Sequence, residues 1–243
     1  MLFESIEEAL PRVVEIVQHF RRLVDDGTPL SELELEARLG HVDESGAFHA
    51  SVPREIIDAA VTMVLTNSAI QCSDWREHHD VFWMNGETPV RTRVTFDDAD
   101  LCVVPHSVRK MQLCRVTTKC GDGLAMRVTL SREQAVSHSK VTCDTEHVRI
   151  QQRRTARWSR TRSAQHVWQY DFSLTWNGRT MTMAEKERWN GQPRYELEVE
   201  LASVTYLRGR SDDYVAKSLL MKLADFCPCG ASIVGQTTLS VGA

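Results

Sequence analysis

The sequence has no apolar run approaching the ~20 residues of a membrane-spanning helix, so no such span is expected. It also lacks the basic start of a secretion signal, because MLFESIEEAL turns acidic at once. It contains no Walker-type phosphate loop and no cysteine in a phosphatase-type loop, which removes two familiar routes to triphosphate chemistry. The seven cysteines are odd in number and not tightly paired. Cys227 and Cys229 enclose a single proline, a spacing that zinc knuckles do not use, so all seven read as reduced thiols. A net charge of −4 argues against a generic nucleic-acid coat, although a mean charge says nothing about a local groove. Internal repeats and low-complexity segments are missing as well.

What is present is ordinary in bulk and unusual in pattern. A chain of 243 residues, 42% apolar and 26% charged, is long enough for a sizeable core, and one domain over 1–243 is expected. Helical spacing of Ile6, Ala9, Leu10, Val13, Ile16 and Val17 predicts a helix over 4–26, with Pro11 in its first turns or breaking it. Further helices are predicted over 53–67, opened by Pro53, and over about 213–226. Elsewhere the period is two. Strands are predicted near 31–39, 80–84, 89–96, 107–117, 124–132, 147–159, 166–176, 179–186 and 194–205. Breaks at Asn85-Gly86, Gly121-Asp122-Gly123, Asn177-Gly178 and Asn190-Gly191 favour hairpins, hence antiparallel pairing in a closed barrel or a sandwich.

The polar faces of several of these strands carry charge mostly of one sign. In SELELEARLG, Glu32, Glu34, Glu36 and Arg38 oppose Leu33, Leu35, Ala37 and Leu39; in RYELEVEL, Arg194, Glu196, Glu198 and Glu200 oppose Tyr195, Leu197, Val199 and Leu201. Glutamate is not a favoured strand residue, and alternating glutamates repel unless cations intervene. One such strand is most simply a solvated face, but two in one chain point to a shared site. Alternate residues sit ~6.6 Å apart, close enough for their carboxylates to converge on one Mg²⁺ or Mn²⁺ ion, both of which favour oxygen ligands. Other strands are basic. VRIQQRRTARWSRTR places Arg149, Arg153 and Arg157 on one face, and Arg91 and Arg93 share a face in PVRTRVTF, as do Arg127 and Glu133 in RVTLSRE. Guanidinium forks suit phosphate oxygens. Acidic and basic strands could simply pair as salt bridges. If they line one barrel interior, they make a metal-and-phosphate site, with the helices covering the apolar outside.

These residues resemble the triphosphate tunnel metalloenzymes. ELEAR at 34–38 resembles the family's first signature strand, Glu-x-Glu-x-Lys/Arg, and YELEVEL at 195–201 resembles the last strand of its fungal and protozoan RNA triphosphatases. RVTLSRE at 127–133 is similar to the strand in which an arginine precedes a glutamate at this distance. The small size is most similar to protozoan members, such as the kinetoplastid ones, and the resemblance spans about 31–205. It implies a mainly β, α+β fold: a closed eight-stranded antiparallel barrel with flanking helices. It further implies Glu34, Glu36 and Glu200 as metal ligands, and Glu133 and Glu198 as the carboxylates that position water. Arg93, Arg153 and Arg157 would hold phosphate, with Arg127 and with either Arg109 or Lys110 as the cation of the central strand. Arg38 would act beside the acids, Glu196 would orient an arginine and Asp171 would organise the basic wall. Departures from the pattern are Thr155, where the family has lysine, and Gln169, where it has arginine.

The activity implied is Mg²⁺- or Mn²⁺-dependent removal of the γ-phosphate from 5′-triphosphate RNA, the first step of mRNA capping. A nuclear location and a guanylyltransferase partner follow from that role, and a monomer is favoured. Alternatives are a tunnel hydrolase of tripolyphosphate, thiamine triphosphate or free nucleotides, and a non-enzymatic RNA-binding barrel. His78, His79 and His138 are expected at the surface, and Arg160 and Arg162 at a basic mouth that admits the RNA end.

Overall fold

The structure, a computed structural model, describes residues 2–3, 5–85, 88–96, 102–121, 123–136, 145–159, 166–203, 207 and 209–227. Its strands are β1 (Leu2–Phe3), β2 (Leu33–Val42), β3 (Phe48–His49), β4 (Ile70–Cys72), β5 (Arg76–Asn85), β6 (Thr88–Phe96), β7 (Cys102–Gly121), β8 (Leu124–Ala135), β9 (Thr145–Ser159), β10 (His166–Gly178) and β11 (Arg194–Leu201). Its α-helices are α1 (Ile6–Asp25), α2 (Arg54–Thr66), α3 (Met181–Asn190) and α4 (Asp212–Ala224). Eight strands close on themselves in the order β2–β8–β7–β6–β5–β9–β10–β11–β2, and every one of these pairings is antiparallel. The fold is therefore a closed eight-stranded antiparallel barrel, with β1, β3 and β4 added at its margins and helices outside.

Register decides which side chains enter the lumen. Glu36 pairs with Glu200 and Thr129, Arg38 with Glu198 and Arg127, and Lys110 with Glu133. Asp171 lies across from Glu198 and Thr155, and Asp80 across from Arg93 and Arg149. Paired residues share a face, so one register-consistent set of charged residues points inward around the ring. The alternate residues point outward and form the core. Leu35, Leu39, Met126, Leu130, Trp168, Phe172 and Leu197 pack under Val13, Ile16, Val17 and Phe20 of α1 and Leu219, Leu220 and Leu223 of α4. The usual order is inverted: the hydrophobic core lies between barrel and helices, and the barrel interior is polar.

Local chemistry explains the helices. Ser5 caps α1 by accepting from the Glu8 backbone N–H at 3.2 Å, and the helix runs through Pro11 without breaking. The strand expected over 179–186 is a correction, because α3 occupies it. Thr180 caps that helix by accepting from the Met183 N–H. Only Ala184 is buried in α3, and it packs directly on the Gly178 backbone, where any Cβ would collide with it. The alternation in Thr-Met-Thr-Met reflects no buried face.

Phe172 is fully buried on the outer wall and meets the Phe226 ring edge-on at 6.1 Å. Phe172→Ala is expected to cost about 3–5 kcal/mol of stability in urea unfolding. A loss below about 1 kcal/mol would contradict a core placed outside the barrel.

Candidate active site in the tunnel lumen

The acidic half of the lumen is built by β2 and β11. Arg38 donates to Glu36 at 3.0 Å and pairs with Glu198 at 2.8 Å. Lys110, reaching across from β7, pairs with Glu34 and lies 3.4 Å from Glu36. Burial works against the Glu36 carboxylate, but the charges of Arg38 and Lys110 outweigh it and hold its pKa down to about 2. Its neighbours go the other way. Burial raises Glu34, Glu198 and Glu200, and the surrounding carboxylates add to the rise; Glu200 is pushed up to about 8. One carboxylate oxygen from each of Glu34, Glu198 and Glu200 lies within 4.8 Å of the others. Three part-buried carboxylates converge there, with one cation each beside Glu34 and Glu198 and none paired with Glu200, and they form an all-oxygen donor set that fits a small divalent cation.

The basic half is organised by two buried aspartates. Asp80, 0% exposed, accepts from Arg93 Nε at 2.7 Å and Nη2 at 2.9 Å, and from Arg149 Nη2 at 2.6 Å. Those guanidinium groups overcome the effect of burial and hold the Asp80 carboxyl below the usual carboxylate range. Asp171 accepts from Arg153 at 3.0 Å, Thr155 Oγ1 at 2.6 Å and Gln169 Nε2 at 3.2 Å. Gln169 in turn accepts from Arg157 Nε at 3.0 Å. Arg91 bridges the two halves, lying 3.3 Å from Glu133. Burial, together with Arg93 and Arg153, lowers the His78 pKa to about 4, so that imidazole is neutral.

The lumen brings together Glu34, Glu36, Arg38, Arg93, Lys110, Arg127, Glu133, Arg153, Asp171, Glu196, Glu198 and Glu200. Several details differ from expectation. Arg109 is a correction: it pairs with Val90 and faces away from the lumen, so Lys110 is the central cation. The converging carboxylates are Glu34, Glu198 and Glu200, whereas Glu36 sits between two cations. Glu196 accepts from Thr175 at 3.1 Å, and Glu198 is the carboxylate paired with Arg38. Arg157 lies at the rim and is exposed. His78 and His79 are part-buried instead of at the surface, and His78 shares the Asp80 face. Arg160, Arg162 and His138 fall outside the described residues. Sequence reasoning assigned no role to Asp80, and it placed Arg91 and Arg149 on the basic faces without giving either a role of its own. The signal was available: His78, Asp80 and Phe82 alternate with His79, Val81 and Trp83.

No family model matches the sequence, and no curated protein matches it. Solved structures do match in fold. The Schizosaccharomyces pombe Pct1 RNA triphosphatase superposes with a TM-score of 0.59 at 16% identity, covering 88% of each chain. Pct1 in complex with the Spt5 CTD gives 0.58 at 16% identity, covering 88% of this chain and 90% of that one. The RNA triphosphatase domain of the trifunctional mimivirus mRNA capping enzyme gives 0.54 at 10% identity, covering 91% of this chain and 99% of that domain. The chain therefore has the triphosphate tunnel fold that these fungal and viral enzymes share.

Two predictions follow from the lumenal charges. Asp80→Ala leaves Arg93 and Arg149 buried without their carboxylate and is expected to cost about 3–5 kcal/mol, read by chemical denaturation. An effect within about 0.5 kcal/mol would mean that Asp80 is not a keystone. The second concerns pH. The folded protein retains a proton on Glu200 up to about 8, against 4.5 for an ordinary glutamate, so this group's contribution to stability declines as pH rises from 4.5 towards 8. In chelator, the Glu200→Gln variant is expected to show a flatter melting temperature over that range than the wild type, and identical slopes would contradict the assignment.

Proposed function

We propose that this protein removes the γ-phosphate from 5′-triphosphate RNA, leaving a 5′-diphosphate end, as the first step of mRNA cap formation. The observation that carries the reading is the opposition, inside one tunnel, of converging Glu34, Glu198 and Glu200 to a wall of arginines held by Asp80 and Asp171. A binding groove for RNA has no use for part-buried, crowded carboxylates. A triphosphate site needs both signs of charge. The likeness to RNA triphosphatases in fold is in accord with this reading.

Glu34, Glu198 and Glu200 would hold Mg²⁺ or Mn²⁺, with Glu36 beside them. Such an ion, when bound, supplies Lewis-acid stabilisation of charge on the γ-phosphoryl oxygens. Lys110, Arg93 and Arg153 bind phosphate oxygens from the facing wall, and Arg127 and Arg157 extend the cationic lining towards the two ends. Arg38 keeps Glu198 in place. Glu133 and Glu198 orient the attacking water, whose proton passes to a carboxylate oxygen of Glu133. The water oxygen joins the γ-phosphorus, the bond to the β–γ bridging oxygen breaks, and phosphate separates from diphosphate-ended RNA. In-line placement and fixed charge do the work, with no covalent intermediate. The diphosphate end is the substrate of a guanylyltransferase, which makes that enzyme the expected partner and the nucleus the expected location in a eukaryotic cell.

The test is release of labelled phosphate from γ-labelled triphosphate-ended RNA with Mg²⁺ or Mn²⁺, set against tripolyphosphate and free nucleotide. Turnover on RNA is expected, and Glu200→Ala should abolish it while the fold is kept. Arg93→Ala is expected to lower turnover by about 10²–10³-fold. Arg93→Lys should recover only part, because lysine cannot make the two-pronged contact with Asp80. Hydrolysis confined to tripolyphosphate or nucleotides would retain the tunnel chemistry and reject the RNA role, and unchanged turnover in Glu200→Ala would reject the site.

A further inference from the structure

The two ends of the tunnel are unlike. Where β9 finishes, the lumenal arginine Arg157 is exposed. At the opposite end, where β2 finishes, aromatic rings occupy the lumen. Gly40 follows Arg38 by two residues on β2, so a side chain there would point inward. Its place is taken by the β3 hairpin: a Cβ on Gly40 would collide with the His49 carbonyl oxygen and lie 2.9 Å from Phe48 Cζ. The Arg127 guanidinium covers the Phe48 ring at 4.3 Å and is fixed by its Nε, which donates to Thr117 Oγ1 at 3.0 Å. Phe48, Arg127 and Thr117 thus span β3, β8 and β7 across this end.

The facing wall repeats the device. Phe82 follows Asp80 by two residues on β5 and so also points inward. It stacks on His147 at 4.1 Å with an 11° interplanar angle, and the Arg149 guanidinium lies 5.5 Å from its centroid. Each ring has groups of this chain packed against it and is part-buried, so both fill space at this end. The hairpin that carries Phe48 is tied to itself. Asp43 accepts from the backbone N–H groups of Ser45 and Ala47, each at 2.9 Å, from Ser45 Oγ at 2.6 Å, and from His49 Nε2 at 2.7 Å. His49 also stacks on His41 at 5.2 Å.

We propose that Phe48 and Phe82, each held by an arginine, stopper the tunnel at this end, so that a phosphate chain enters by the other mouth alone and only its terminal phosphoryl group is cleaved. This rests on the reading of the tunnel as a triphosphate hydrolase and adds the chemical class it selects: chains with a free phosphate terminus. A chain cannot thread past the carboxylates to present an internal phosphorus. In each turnover the water oxygen bonds to the terminal phosphorus, the bond to the adjacent bridging oxygen breaks, and one orthophosphate separates from a chain shorter by one unit.

Long-chain linear polyphosphate is the probe, because it threads an open tunnel and has no bulky end. It is incubated with the full chain and Mn²⁺, and the products are resolved by length on a gel. Early in the digest, wild type is expected to yield no mid-length chains, only orthophosphate and substrate a few units shorter. Phe48→Ala/Phe82→Ala is expected to produce mid-length chains early in the digest while still releasing phosphate from triphosphate-ended RNA, which shows that it is folded. Gly40→Ser forces the hairpin outward without removing a ring, and it is expected to give the same mid-length products. Mid-length chains from wild type early in the digest, or none from either variant at that stage, would overturn the stopper. Failure of the hydrolase reading looks different: wild type then releases no phosphate from RNA, tripolyphosphate or polyphosphate.

Discussion

A closed barrel that turns its charged side chains inward has to neutralise them within a narrow, partly desolvated space. Much of the rest depends on that constraint. A buried charge without a partner costs several kcal/mol, so each lumenal residue is placed by the ion it answers. Asp80 fixes Arg93 and Arg149, and Asp171 fixes Arg153 with help from Thr155 and Gln169. Arg38 and Lys110 stand between the glutamates of β2 and β11. The stabilising apolar burial is moved outside, between barrel and helices, where α1 and α4 cover the outward residues of β2, β8, β10 and β11. Fold and chemistry therefore use opposite faces of the same strands.

The acids are fully paired on one wall and incompletely paired on the other. Both aspartates of the basic wall are saturated by donors. Among the acids, Glu36 has two cations and a lowered pKa, whereas Glu34, Glu198 and Glu200 have raised ones. A deficit of positive charge located where three carboxylates converge is what a site awaiting a divalent ion should look like. On the proposed function, holding the arginines opposite in fixed directions before a phosphate arrives would remove part of the reorganisation that a transition state otherwise demands.

Much of this was legible in strands whose two faces differ sharply. β2 and β11 announce themselves by glutamates in alternate positions, and β9 by its arginines. The closed barrel and the grouping of the acids followed from that alternation and from the family resemblance, and the three long helices were read apart from it, from residues such as the helically spaced Ile6, Ala9, Val13 and Ile16. What escaped was information carried by pairing. Lys110 and Arg109 are adjacent, and only the register against Glu133 and Val90 decides which enters the lumen. Asp80 is one acid among apolar neighbours, and its importance appears only when β6 and β9 bring two arginines to it. The departures at Thr155 and Gln169 looked like losses from the basic wall, yet both side chains hydrogen-bond to Asp171 and so complete its shell. The 179–186 segment misled for a different reason: α3 buries a single alanine, so it leaves no helical periodicity to read.

The central claim is that the crowded glutamates hold a divalent ion facing the arginine wall. It is tested most directly by crystals grown with Mn²⁺ and tripolyphosphate, with anomalous scattering recorded at the manganese edge. The account predicts one anomalous peak among the Glu34, Glu198 and Glu200 oxygens, with phosphate density between that peak and Arg93, Lys110 and Arg153. A lumen that remains free of manganese under those conditions, or a peak bound only outside the barrel, would contradict it.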